Sequence, residues 1–155
     1  MDTKDLLEFA KSVKKNLKEM ADIDCQFGTS AAQEEKFTSA GLAVIVGITG
    51  KMPGRIIIDA SKTVAEELAL VINEDESIEW ELVMDTMAEL ANIISGNAIS
   101  WINNAKKGLS LSLTPPSVFC GDEMRIISPR LKAQIIPIKL PQGELRISVG
   151  FEEGG

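Results

Sequence analysis

Apolar residues recur at helical intervals near the start of the chain. Leu6, Leu7, Ala10, Val13, Leu17 and Met20 share one face, which predicts a helix from about Thr3 to Met20. Small and polar residues from Asp22 to Ser39 read as a loop. The run GLAVIVGITG then turns continuous and β-branched, the pattern of a buried strand from Leu42 to Thr49. Lys51-Met52-Pro53-Gly54 supplies turn residues, and Arg55 to Asp59 returns as the second strand of a hairpin. Ser61 suits an N-cap for a helix from Lys62 to Ile72, and Asn73 to Glu76 is an acidic connection. Leu109 to Leu113 alternates as a strand does, before the break at Thr114-Pro115-Pro116. Ala133 to Leu140 and Glu144 to Phe151 form a second hairpin around Pro141-Gln142-Gly143, and Glu152 to Gly155 reads as a frayed tail.

Between the second helix and the Leu109 strand lies the longest helical pattern, from Ser77, its expected cap, to Lys107, with Gly108 to stop it. At roughly 100° per residue, Asp85, Glu89, Asn92, Gly96 and Asn103 fall in one narrow sector. Trp80, Val83, Met87, Leu90, Ile94, Ala98 and Trp101 point the other way, toward a core. The polar sector is a hydrogen-bonding platform in which Gly96 leaves room for a partner to approach the helix. Helix, loop and hairpin occur in residues 3–59 and again in 79–151. The pattern predicts an α+β fold with an antiparallel sheet, long helices packed against it, and a helix-plus-hairpin duplication. Only the second long helix carries Glu-x-x-Asn, so the expectation is one site per chain.

With 155 residues, 45% of them apolar, the chain has enough material for one sizeable core, and a single domain over 1–155 is expected. A net charge of −7 argues against nucleic acid, whose phosphates need clustered cations. The one basic concentration, Lys11, Lys14, Lys15 and Lys18, reads as a solvated helix face. No apolar run is long enough to span a membrane, and the charged amphipathic start lacks a signal-peptide core. A cytoplasmic protein with Cys25 and Cys120 as reduced, free thiols is expected. The chain has no histidine. That excludes Ser–His and Cys–His nucleophilic machinery and leaves carboxylates, amides, hydroxyls and lysines for any chemistry.

The spacing Asp85-x3-Glu89-x2-Asn92, with 22 residues between Asn92 and Pro115, resembles the signature of the CheC/CheX/FliY phosphatases of bacterial chemotaxis. AELANIISGNA, the GITG hairpin and LTPPSV are most similar to CheX, over residues 42 to 150. The resemblance implies a CheC-like fold and a phosphatase acting on the aspartyl phosphate of a CheY-like receiver. It makes Asn92 the residue that orients the attacking water and Glu89 the one that pairs with a receiver lysine. Asp85 and Gly96 become substrate-docking positions. It implies no cofactor in this chain, with Mg²⁺ carried by the phosphorylated receiver, and a homodimer. The Ile-rich IIPIKL stretch suggests a strand edge for that dimer.

A second class of function uses the same face without chemistry: a receiver-binding or signalling adaptor, or a dimerisation module. Asn92 discriminates, because docking survives its loss and water positioning does not. Glu89 and Asn92 on an arbitrary helix would more often be solvated than functional. The hairpins and proline spacing around them favour the enzyme.

Overall fold

In the computed structural model, residues 3–33, 36–128 and 130–152 are described. Helix α1 (Thr3–Ala21) is followed by three short strands, β1 (Gln26–Phe27), β2 (Ala31–Ala32) and β3 (Lys36–Thr38). Next come the hairpin β4 (Leu42–Thr49) and β5 (Gly54–Ala60), then α2 (Lys62–Asn73) and α3 (Trp80–Ala105). Strands β6 (Ser112–Leu113), β7 (Ser117–Cys120) and β8 (Arg125–Ile127) lead into the second hairpin, β9 (Leu131–Leu140) and β10 (Gly143–Glu152).

The fold is α+β. Strands β1, β9, β10, β5, β4 and β6 lie side by side in one antiparallel sheet, with β2 also on β9 and β7 also on β4. The two hairpins join through β5 and β10, Ile57 opposite Ser148, so each long helix precedes one half of the central sheet. The alternation of each strand sends one row to the helices: Val44, Ile58, Ile147 and Ile136 align across four strands. These residues close on Phe9, Val13, Leu17, Leu68, Met87, Leu90 and Ile94 in a single buried cluster. The opposite face carries Ala43, Ile57 and Ile135, covered by Phe37 and Ile126 of a separate β3–β8 ribbon.

Polar groups on that second face are tied within the chain. Asp59 is fully buried, accepts from Ser39 Oγ (2.5 Å) and the Ala40 N–H (2.9 Å), and pairs with Arg146 (2.6 Å). Among the described residues the Arg55 guanidinium bonds hydroxyls and a carbonyl, with Ser128 Oγ at 3.0 Å and Ser148 Oγ at 3.1 Å. Burial pushes its pKa down to about 10.

Several sequence expectations change. The Asp22–Ser39 loop contains three strands, two of which cover β9; Gly28, whose N–H donates to Pro137 O at 2.8 Å, lies where a Cβ would sit 2.6 Å from Pro137 Cγ. Lys139, Ile138, Ile135 and Gln134 are thus paired outward by β1 and β2, and IIPIKL is not an open edge. The Leu109–Leu113 strand shrinks to Ser112–Leu113. The prolines separate two pairings with the same partner: β6 joins β4 at Ile48 and Thr49, and β7 at Leu42 to Ile45. Proline has no N–H to give a ladder, which suits a break between the two. Glu152 belongs to β10, its N–H donating to Pro53 O at 2.8 Å; the rest of the expected tail, 153–155, lies outside the described residues.

Candidate functional site on the outer stripe of the long helix

Helix α3 starts at Trp80, not Ser77. Its N-cap is Glu79, in extended conformation and without a side-chain capping bond. Ser61, in contrast, caps α2 as its sequence position predicts, accepting from the Val64 N–H at 3.1 Å. Val83, Met87, Leu90, Ala91 and Ile94 are fully buried against the sheet. That fixes the helix's rotation and turns Asp85, Glu89 and Asn92 out to solvent, all three exposed, with Gly96 half-buried one turn further. The four predicted positions therefore do share a stripe, at successive turns of one well-anchored helix.

Two neighbours hold the helix in place. On the α1 side, Ser12 Oγ donates to Ile94 O at 2.8 Å, Asn16 Nδ2 to Ser12 Oγ at 3.1 Å, and Asn97 Nδ2 to Asn16 Oδ1 at 3.2 Å. Asn16, the asparagine of helix one, is buried in this seam and so unavailable as a second outward site. On the α2 side, Asn73 Nδ2 donates to Thr86 Oγ1 at 2.8 Å. Neither Asp85, Glu89 nor Asn92 has an ion pair or side-chain hydrogen bond within the described chain, so their polar atoms are available to a partner.

Asn103 leaves the group. Its side chain accepts from the Leu111 N–H and donates to Leu111 O, both at 2.9 Å. The azimuth is as predicted, but at this end of the helix the following segment folds back over that sector. Trp101 moves the other way: placed on the core face by spacing, it is 37% exposed. Pro115 is exposed beyond Thr114, which is pinned to β4. Thr114 Oγ1 accepts from the Gly47 N–H at 2.8 Å, and the Thr114 N–H donates to Gly47 O at 2.9 Å.

A Cβ built at Gly96 meets nothing within 4 Å. No packing among the described residues requires glycine there, although a glycine in a helix interior costs about 0.5–1 kcal/mol relative to alanine. Among the described residues no three His, Cys, Asp or Glu side chains group to hold a metal, and no helix is long and apolar enough to cross a membrane. Cys25 and Cys120 are free, and burial pushes both thiols up, away from the reactive thiolate. What the stripe can offer is an amide and two carboxylates on a rigid backbone, suited to positioning and docking.

One feature of this region has no helical-wheel signature. Beside Asp85 and Glu89 a groove of about 320 Å³ opens where α1, α2 and α3 converge, lined by Met20, Ile72 and Leu82. It joins residues far apart in the chain, and only the tertiary arrangement reveals it.

The chain matches the protein family described as "Chemotaxis phosphatase CheX" over residues 42–139. Its fold is similar to a chemotaxis protein CheX of Desulfovibrio desulfuricans, with TM-score 0.86 and 24% identity, covering 96% of this chain and 99% of that one. A CheC-like superfamily protein of Shewanella sp. PV-4 gives TM-score 0.85 at 23% identity, over 99% and 100% of the two chains. CheX of Borrelia burgdorferi, solved in complex with CheY, BeF3 and Mg²⁺, gives TM-score 0.83 at 28% identity, over 96% and 97%. No curated protein sequence matches.

Proposed function

Since this chain belongs to the chemotaxis phosphatase CheX family, we propose that it accelerates hydrolysis of the aspartyl phosphate on a CheY-like receiver, with Asn92 and Glu89 as the acting residues. The observation that carries this reading is the outward stripe. Among the described residues Glu89 and Asn92 are exposed and without a side-chain partner, on a helix anchored to its neighbours at Ile94 and Thr86.

The reaction is attack of water on phosphorus with cleavage of the phosphorus–oxygen bond to the receiver's aspartate, releasing inorganic phosphate and restoring the carboxylate. The receiver brings the phosphoryl group and Mg²⁺ to neutralise charge, as the CheY, BeF3 and Mg²⁺ bound by the Borrelia relative suggest. What this chain adds is position. Asn92 projects a neutral carboxamide that orients water in line without repelling the phosphoryl oxygens, a contribution of geometry and electrostatics. Glu89, one turn away, pairs with a lysine beside the phosphorylation site and sets the register. Asp85 extends the acidic edge, and Gly96 admits the receiver close to the helix backbone.

The test is the decay of a phosphorylated receiver in Mg²⁺ with wild type, Asn92→Ala and Glu89→Ala. Asn92→Ala should lose acceleration by about 100-fold or more while still binding, the scale of removing one oriented transition-state contact. Glu89→Ala should weaken binding as well. Binding by wild type with no change in decay would make the chain an adaptor and end the catalytic assignment.

A further inference from the structure

The groove beside Asp85 and Glu89 has an apolar interior and a strongly charged surround. Met20, Ile72 and Leu82 meet in it from three different helices, and Leu82 is 39% exposed. The Asn73–Thr86 hydrogen bond, between two residues that also line the groove, links α2 to α3. A single exposed leucine is ordinary. An open groove that shares two of its lining residues with the proposed catalytic stripe is not.

Charge identifies the occupant. From residue 62 to residue 105, the stretch that holds α2, α3 and the connection between them, the chain has nine Asp and Glu and one cation, Lys62. All nine are exposed, and none forms an ion pair among the described residues. The whole chain carries −7, so with −8 in this stretch the remainder is nearly neutral, at +1. The acidic character is thus concentrated on α2, α3 and their connection, with Glu74, Asp75, Glu76 and Glu79 between the helices and Glu66, Glu67, Glu81, Asp85 and Glu89 on them. Like charges crowded without partners favour a cationic surface that approaches them, and they speed its arrival.

We propose that this groove is a second anchor for the receiver, accepting an aliphatic side chain that stands among Lys and Arg residues next to the receiver's phosphorylation site. The inference rests on the phosphatase reading in taking a receiver as the partner, and it states which receivers the chain selects. Those with a basic, apolar-studded surface there dock, and those with an acidic surface are turned away. Glu89 then sets the register at one point and the groove at another, and two points fix the angle of approach that in-line water needs.

The experiment measures binding of a receiver activated with beryllofluoride and Mg²⁺ to wild type, Leu82→Glu and Val71→Glu, at low and at raised NaCl. Leu82 is exposed enough to be replaced without disturbing the core. Val71 is similarly exposed, at 38%, on α2 but outside the groove, so it adds the same charge in a place the occupant does not enter. Leu82→Glu should weaken binding about tenfold or more, as expected for losing a buried aliphatic contact. Val71→Glu should stay within about twofold of wild type, and salt should weaken wild type several-fold. Equal binding by Leu82→Glu, or no response to salt, overturns the groove and leaves the phosphatase reading intact. Wild type that binds without speeding decay removes the phosphatase reading, while the Leu82 comparison still decides the groove. Wild type that binds no receiver overturns both.

Discussion

At the level of single residues, Gly96 separates internal from external reasons for a sequence choice. Glycine inside a helix is usually explained by a neighbour pressed against it, yet a Cβ here meets nothing. Gly96→Ala should therefore raise the unfolding free energy by about 0.5–1 kcal/mol, because no clash offsets the gain in helix propensity. The same methyl would stand where the receiver is proposed to approach. Titration with an activated receiver should show weaker binding by the more stable variant. Unchanged binding would mean that nothing approaches the helix at Gly96. Asp85, Glu89, Asn92 and Gly96 were legible in the sequence because a helical wheel needs only spacing. Whether each was free to act was not, since that depends on what lies beside it.

Asparagine illustrates this at the level of elements. Asn92 and Asn103 share an azimuth on α3, but one faces solvent and the other clasps the Leu111 backbone. The clasp ties the end of α3 to the chain leading into β6. Asn103→Ala leaves the N–H and C=O of Leu111 without those partners, and Leu111 is 5% exposed. A loss of about 1–3 kcal/mol is expected on denaturant titration, with dephosphorylation at saturation unaffected. Asn92→Ala should show the reverse: normal stability and lost acceleration. If both variants lost activity in step with stability, the division between a structural and a working asparagine would fail. Strong elements such as β4, α2 and both hairpins were readable from period and caps, in several cases to within a residue. Of the two- and three-residue strands, β6 fell inside the predicted Leu109–Leu113 strand, whereas β1, β2, β3 and β8 were not readable, because they exist by pairing with β9 or each other and carry no period of their own.

For the whole molecule, the covering of β9 redirects the question of self-association. The expected homodimer edge is occupied by β1 and β2, whose bonds run from Ala133 to Lys139 along its outer side. At the other side of the sheet, β7 pairs inward with β4 and presents Phe119, 47% exposed, with Ile127 of the nearby ribbon 60% exposed. We propose that a homodimer forms through this region. Apolar surface on both residues would be buried, and the acidic α2–α3 stretch would be spared for a receiver. Phe119→Glu puts a carboxylate in the middle of that contact, where desolvation without a partner is costly. Light scattering during size-exclusion chromatography should find wild type at twice the chain mass of 16.8 kDa and Phe119→Glu at the monomer mass. A dimer that persists in Phe119→Glu places the contact elsewhere, and a wild type already at monomer mass rules the dimer out. Because Phe119 lies outside the catalytic stripe and the groove, the monomeric variant should still dephosphorylate the receiver. One protomer holds Glu89, Asn92 and all three helices of the groove, so activity should follow the number of chains.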